Sequence, residues 1–202
     1  MLRNGRECRA RSMRKGGQGV QVDRIVGFAG GDAGPWKVDS LKPARGETLP
    51  PVARIAVVGP GMPYPPGARW LLRGVASNER YVTHAEREGL RAVQEGLGRP
   101  AATRAALIPI RKNPDWWELA QDERRAILEE QSQHIRIGMR SLPAIARKLH
   151  HSRDLGEPFD FLTWFEYAPA DAAAFEDLVG ALRASEEWNY VEREIDFRLS
   201  LA

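Results

Sequence analysis

The chain has 202 residues, 43% of them hydrophobic and 28% charged, a composition suited to one large globular domain or two small ones. The formal charge of +3 is uneven: residues 1–15 hold Arg3, Arg6, Arg9, Arg11, Arg14 and Lys15 against Glu7, net +5, leaving −2 for the rest, so no basic nucleic-acid surface is expected on the folded body. Cys8 is the only cysteine, which excludes an intramolecular disulfide and a cysteine-rich metal site, and no stretch is long and apolar enough for a membrane span.

Residues 1–22, dominated by Arg, Gly, Ser and Gln, read as a disordered basic tail. It lacks the apolar run of a secretory signal, so a cytoplasmic protein is expected. Ile25–Phe28 and Trp36–Leu41 read as short strands around a Gly30-Gly31-Asp32 turn, and Val52–Val58 as a further strand. A Pro/Gly-rich loop, Gly59–Gly67, leads to a strand at Trp70–Ala76. Asn78–Glu95 reads as a helix capped by Asn78 or Thr83.

Ala105–Ile110 is an apolar strand ending in Arg111-Lys112, and Asp122–Arg140 reads as one long helix. Leu142-Pro143 argues for an extended segment as far as His151. Phe159–Tyr167 is aromatic and β-prone, and Ala170–Arg183 is a helix with Phe175, Leu178, Val179 and Leu182 on one face. Tyr190–Leu201 alternates as a half-buried strand does. From Ala105 the order is strand–helix–strand–strand–helix–strand, a ferredoxin-like unit. The expectation is an α+β chain with a shortened N-terminal ferredoxin-like half at 23–103 and a complete C-terminal half at 104–202.

Four groups of residues in the second half could carry chemistry. His134 shares a helical face with Ile127, Gln131 and Gly138, and a glycine one turn beyond a histidine leaves room for something broad and flat. On spacing alone, a lone helical histidine reads more readily as a hydrogen-bonded or surface residue than as a ligand. Arg147 shares a strand face with Leu149 and His151; a solvated edge strand would explain that polar run equally well. Lys112 precedes the pair Trp116-Trp117, which could pack in a core or stack on an aromatic cofactor. Glu187, just past the last helix, is either a solvated acid or the acceptor that would fix the tautomer of a metal-bound His134. There is no P-loop, no His-Glu-x-x-His, no dinucleotide fingerprint and no nucleophile elbow.

Taken in order, Ile108-Pro109-Ile110-Arg111-Lys112-Asn113, Trp116-Trp117, His134, Arg147 to Ser152, Asp160 to Glu166, and Phe175, Leu178 and Leu182 through to Glu187 resemble the chlorite dismutase family over roughly residues 104–187. The resemblance implies a haem-binding, ferredoxin-like dimeric α+β barrel of the short-chain branch, acting as a cytoplasmic homodimer. It implies haem b with His134 as proximal iron ligand, Glu187 as its hydrogen-bond partner, and Lys112, Trp116 and Trp117 holding the haem and its propionates. Arg147 would be the distal residue, confining hypochlorite while chlorite becomes chloride and dioxygen. A haem-binding or haem-sensing protein with weak peroxidase activity is the alternative, sharing His134 without needing Arg147. The sequence departs from the long-chain members, which carry a tryptophan where Glu192-Arg193-Glu194 stands here. A related branch that decarboxylates coproporphyrin-haem, using a tyrosine near the tryptophan pair and no distal arginine, fits less well.

Overall fold

The computed structural model describes residues 24–76, 84, 88 and 95–202. The expected tail lies outside these residues, as does the expected helix Asn78–Glu95 except for His84 and Glu88, which are helical, and Glu95, which is not. Eight strands close into an antiparallel barrel: β1 Ile25–Gly31, β2 Trp36–Arg45, β3 Arg54–Val58, β4 Trp70–Ala76, β5 Arg104–Lys112, β6 Ile145–His151, β7 Phe161–Tyr167 and β8 Val191–Leu201. Around the barrel the order is β1-β3-β2-β8-β5-β7-β6-β4. Each set of four strands therefore runs fourth, first, third, second, and the first set repeats the ferredoxin-like plan of the second.

Period-two alternation builds two cores from the same strands. Inward residues such as Phe28, Leu72, Leu107, Leu162, Trp164, Ile195 and Phe197 fill the barrel. Outward residues of the second set, among them Ala106, Ile108, Ile110 and Phe165, meet Phe175, Leu178, Val179 and Leu182 of helix α4, Ala172–Arg183. Full burial of each large apolar side chain contributes roughly 1.5–3 kcal/mol. The outward layer is thus a second hydrophobic interface, and it is there that the chemistry-bearing residues gather.

Three expectations need correcting. The turn after β1 falls at residues 32–35, with Gly34 at φ 136°, and not at Gly30-Gly31. Gly30 instead lies in the strand opposite Trp70, where a Cβ would overlap the indole. The long helix Asp122–Arg140 is broken into α2 (Gln121–Arg125), a π-helical turn at Ala126–Gln131 and α3 (His134–Arg140). Gln133 at the break has φ 52°, and Glu129 Oε1 accepts the Ile135 N–H at 2.7 Å, giving α3 its own N-terminal partner. The break rotates the proposed face apart: Ile127 and Gly138 are buried, His134 is half-buried and Gln131 is exposed. Finally, β6 is no edge strand, since it pairs with β7 along seven residues and with β4 at its end.

Candidate active site

Three adjacent strands present one outward surface. Their register aligns Ala106, Phe165 and Arg147 in one row, Ile108, Thr163 and Leu149 in the next, and Ile110, Phe161 and His151 in a third. Lys112 continues the β5 face beyond them. α3, the π turn, α4 and the turn Glu186–Tyr190 stand over this floor and enclose a cavity of about 190 Å³. Its walls are mainly aliphatic and aromatic; the charged or titratable lining is Lys112, Glu129, His134, Arg147, His151, Glu187 and Glu194.

His134 is the first residue of α3, and its Nδ1 lies 2.5 Å from Glu187 Oε2. Lys112 Nζ donates to the other carboxylate oxygen at 2.8 Å and to the Glu187 carbonyl at 3.2 Å. Burial alone would raise the Glu187 carboxyl, but His134 and then Lys112 overcome it and hold the group at about 2. The Lys112 ammonium is pulled below its ordinary range by burial, against the opposing pull of Glu187. Beside an ionised carboxylate a neutral imidazole would carry its proton on Nδ1, and its Nε2 lone pair would face an electrophile. Lys112 also leans over the Trp116 ring, 4.5 Å from its centroid.

Arg147 lies in the row farthest from Lys112, half-buried in the cavity floor. Its guanidinium rests against α3 at Gly138, where a Cβ would collide with it. The guanidinium thus takes up the space that Gly138 leaves on this face of α3. Burial lowers its pKa and the charge of Glu129 opposes the shift, so a cation is held in an apolar pocket.

Helix α1, Pro114–Glu118, is capped by Asn113 Oδ1 accepting the Trp116 N–H at 3.1 Å, and it splays the two tryptophans. Trp116 lines the cavity and packs on Tyr190, and its buried Nε1 has no hydrogen-bond partner among the described residues. Trp117 stacks on Phe161 at 6.0 Å, with the Arg153 guanidinium 3.9 Å from its ring, outside the cavity lining.

The chlorite dismutase family model matches residues 70–201. The chain belongs to the chlorite dismutase family. It is 58% identical to a chlorite dismutase of Nitrobacter winogradskyi whose crystal structure is described as dimeric, covering 88% of this chain and 99% of that one with a TM-score of 0.81. A structure of the family member from Candidatus Nitrospira defluvii, in complex with imidazole, is 30% identical over 66% of this chain and 56% of that one, with a TM-score of 0.54. The chlorite dismutase of Ideonella dechloratans is 37% identical over 86 residues, 43% of this chain but only 28% of that protein. The ferredoxin-like α+β barrel expected from the sequence is the fold of the chain and of these family structures.

Of the six residues singled out by sequence, five line this cavity and Trp117 stands behind Phe161. Lys112 places its ammonium on Glu187, donating to both the carboxylate and the main-chain carbonyl of that residue. Sequence reading passed over three supports. Ser132 accepts the Glu187 N–H at 2.8 Å, Asp160 accepts the Lys112 N–H at 2.7 Å, and Glu194 is held by Arg183 and the Trp188 indole. Asp160 and Glu194 lie at buried strand ends or positions where charge is out of pattern, which was the available signal.

Proposed function

We propose that the chain is a haem b-dependent chlorite dismutase, converting chlorite to chloride and dioxygen as a cytoplasmic homodimer built from halves at 23–103 and 104–202. Family membership supports the reaction, and the dimeric Nitrobacter winogradskyi structure supports the assembly. The observation that carries the reading is one shared cavity with the His134–Glu187 pair on its helical side and Arg147 on its strand side.

The residues fit the cofactor. A flat apolar macrocycle suits the aliphatic and aromatic walls, an imidazole with a bare Nε2 suits iron, and the unpartnered Trp116 Nε1 suits a propionate oxygen. Haem b, when bound, would supply the open iron position and lend the electrons for cleaving a Cl–O bond, recovering them as the O–O bond forms. Glu187 keeps the Nδ1 proton in a short hydrogen bond and makes His134 a more basic ligand. Lys112 keeps that carboxylate ionised and fixed. Arg147 binds the chlorine oxyanion by charge and multiple N–H donors, and retains its own proton throughout. The apolar walls keep water from competing, so both oxygens of one chlorite stay together until the O–O bond forms.

The test is oxygen evolution on adding chlorite to the haem-loaded protein. Oxygen released in proportion to bound haem is the expected result; haem bound without oxygen release would overturn the reading in favour of a haem-binding protein with weak peroxidase activity.

A further inference from the structure

Glu187 is held at four points, and one of them has no counterpart in the chemistry already described. Its two carboxylate oxygens meet His134 and Lys112, and its carbonyl also meets Lys112. Its N–H donates to Ser132 Oγ at 2.8 Å, with both residues buried. Ser132 sits in the break between the π turn and α3, two residues before His134. Its own N–H is tied to the Ile127 carbonyl at 3.0 Å, so the main chain that carries the hydroxyl is anchored to the π turn. On the far side of Glu187, Arg45 Nη1 reaches from β2 to the carbonyls of Trp188 at 3.0 Å and Val191. The Glu186–Tyr190 turn is thus clamped from the barrel by Arg45 and from the histidine's own segment by Ser132.

We infer that Ser132 is a positioning residue that sets the His134–Glu187 hydrogen bond by tying the Glu187 main chain to the segment that opens α3. The inference rests on His134 being the iron ligand. The physical argument is one of degrees of freedom. The two side chains come from segments 53 positions apart, and a charge-assisted bond at 2.5 Å is steeply sensitive to their spacing. A side-chain contact alone would let the turn drift; the main-chain bond from Ser132 removes that motion. Without the hydroxyl, the Glu187 N–H is a buried donor with no acceptor, and the turn moves to find one.

The experiment is resonance Raman spectroscopy of the iron–histidine stretch, with the haem reduction potential, in haem-loaded wild type, Ser132→Ala, Ser132→Thr and Glu187→Gln. Ser132→Ala is expected to lower the stretching frequency and raise the potential part of the way to Glu187→Gln, and Ser132→Thr to restore both. Should Ser132→Ala not fold, the near-isosteric pair Ser132→Thr and Ser132→Val decides, since only Thr carries the acceptor. A wild-type stretch in Ser132→Ala, or equal shifts in Thr and Val, overturns the role of Ser132 while leaving His134 as ligand. Haem binding by His134→Ala with the same iron–histidine signature would instead overturn the ligand reading, and this inference with it.

Discussion

His134 Nδ1 and Lys112 Nζ share one buried carboxylate: Glu187 Oε2 lies 2.5 Å from the imidazole and Oε1 lies 2.8 Å from the ammonium. Removing Glu187 takes away the carboxylate that hydrogen-bonds the buried ammonium, leaving it only the charges of Asp160 and Glu194. Glu187→Ala is therefore expected to destabilise the fold by about 3–5 kcal/mol, read as a lower urea midpoint. Glu187→Gln, which keeps the shape and hydrogen-bonding capacity, should lose less. An unchanged midpoint in Glu187→Ala would mean that the ion pair is not part of what holds the turn in place.

Acid should weaken the fold in two successive windows. His150 points into the barrel against Phe28, and burial holds its pKa at about 4 against an ordinary 6.5. The folded state thus prefers the neutral ring, and its contribution is complete above pH 6.5 and falls as pH drops towards 4. A tenfold change in proton affinity corresponds to roughly 1.4 kcal/mol, so that window is worth about 3 kcal/mol. Glu187 follows: its contribution is present above 4.5 and is lost as pH falls towards 2. Urea midpoints across these ranges should decline in both, and His150→Phe should flatten only the first. A first window that persists in His150→Phe would assign it to another group.

Arg147→Ala removes the cation proposed to hold chlorite but none of the His134 supports. Haem should remain bound with its Soret band unchanged, while kcat/KM for chlorite falls by about 10²–10³-fold, the usual loss on deleting an oxyanion donor. Lysine keeps the charge but not the fork of donors and should fall between the two. Equal turnover in wild type and alanine variant would remove Arg147 from the reaction.

Gly138 shapes the place where Arg147 lies. An alanine methyl would overlap the guanidinium, which is the far end of a flexible side chain and can swing aside. Alanine also gains about 0.5–1 kcal/mol of helix stability over glycine. Gly138→Ala is expected to hold or raise the melting temperature while raising KM for chlorite, because the arginine is displaced from its seat. A large drop in stability with unchanged KM would show that the contact is packing alone.

Much of this arrangement was legible in the chain. The period-two face of Arg147, Leu149 and His151 is a local property, and so is the single apolar face of Phe175, Leu178, Val179 and Leu182; both appear as expected. The break before His134 was not anticipated, although the polar run Glu129-Glu130-Gln131-Ser132-Gln133 offers no apolar residue to hold a continuous helical face. What breaks the helix is partly local, the Glu129 cap on α3 six residues on, and partly tertiary, the Ser132 bond to a turn 55 positions away. The seat of Arg147 on Gly138 and the capture of Lys112 by Glu187 are likewise pairings between distant segments, which no spacing rule encodes. The tryptophan pair divides because α1 turns one indole to the cavity and the other behind Phe161.

The measurement that bears most directly on the proposed reaction is the isotopic composition of the gas formed from chlorite carrying heavy oxygen at both positions, in ordinary water. An anion held by Arg147 in an apolar cavity, with both oxygens retained until they join, gives dioxygen labelled at both atoms. Dioxygen carrying oxygen from water, or no dioxygen at all from the haem-loaded protein, would contradict that account.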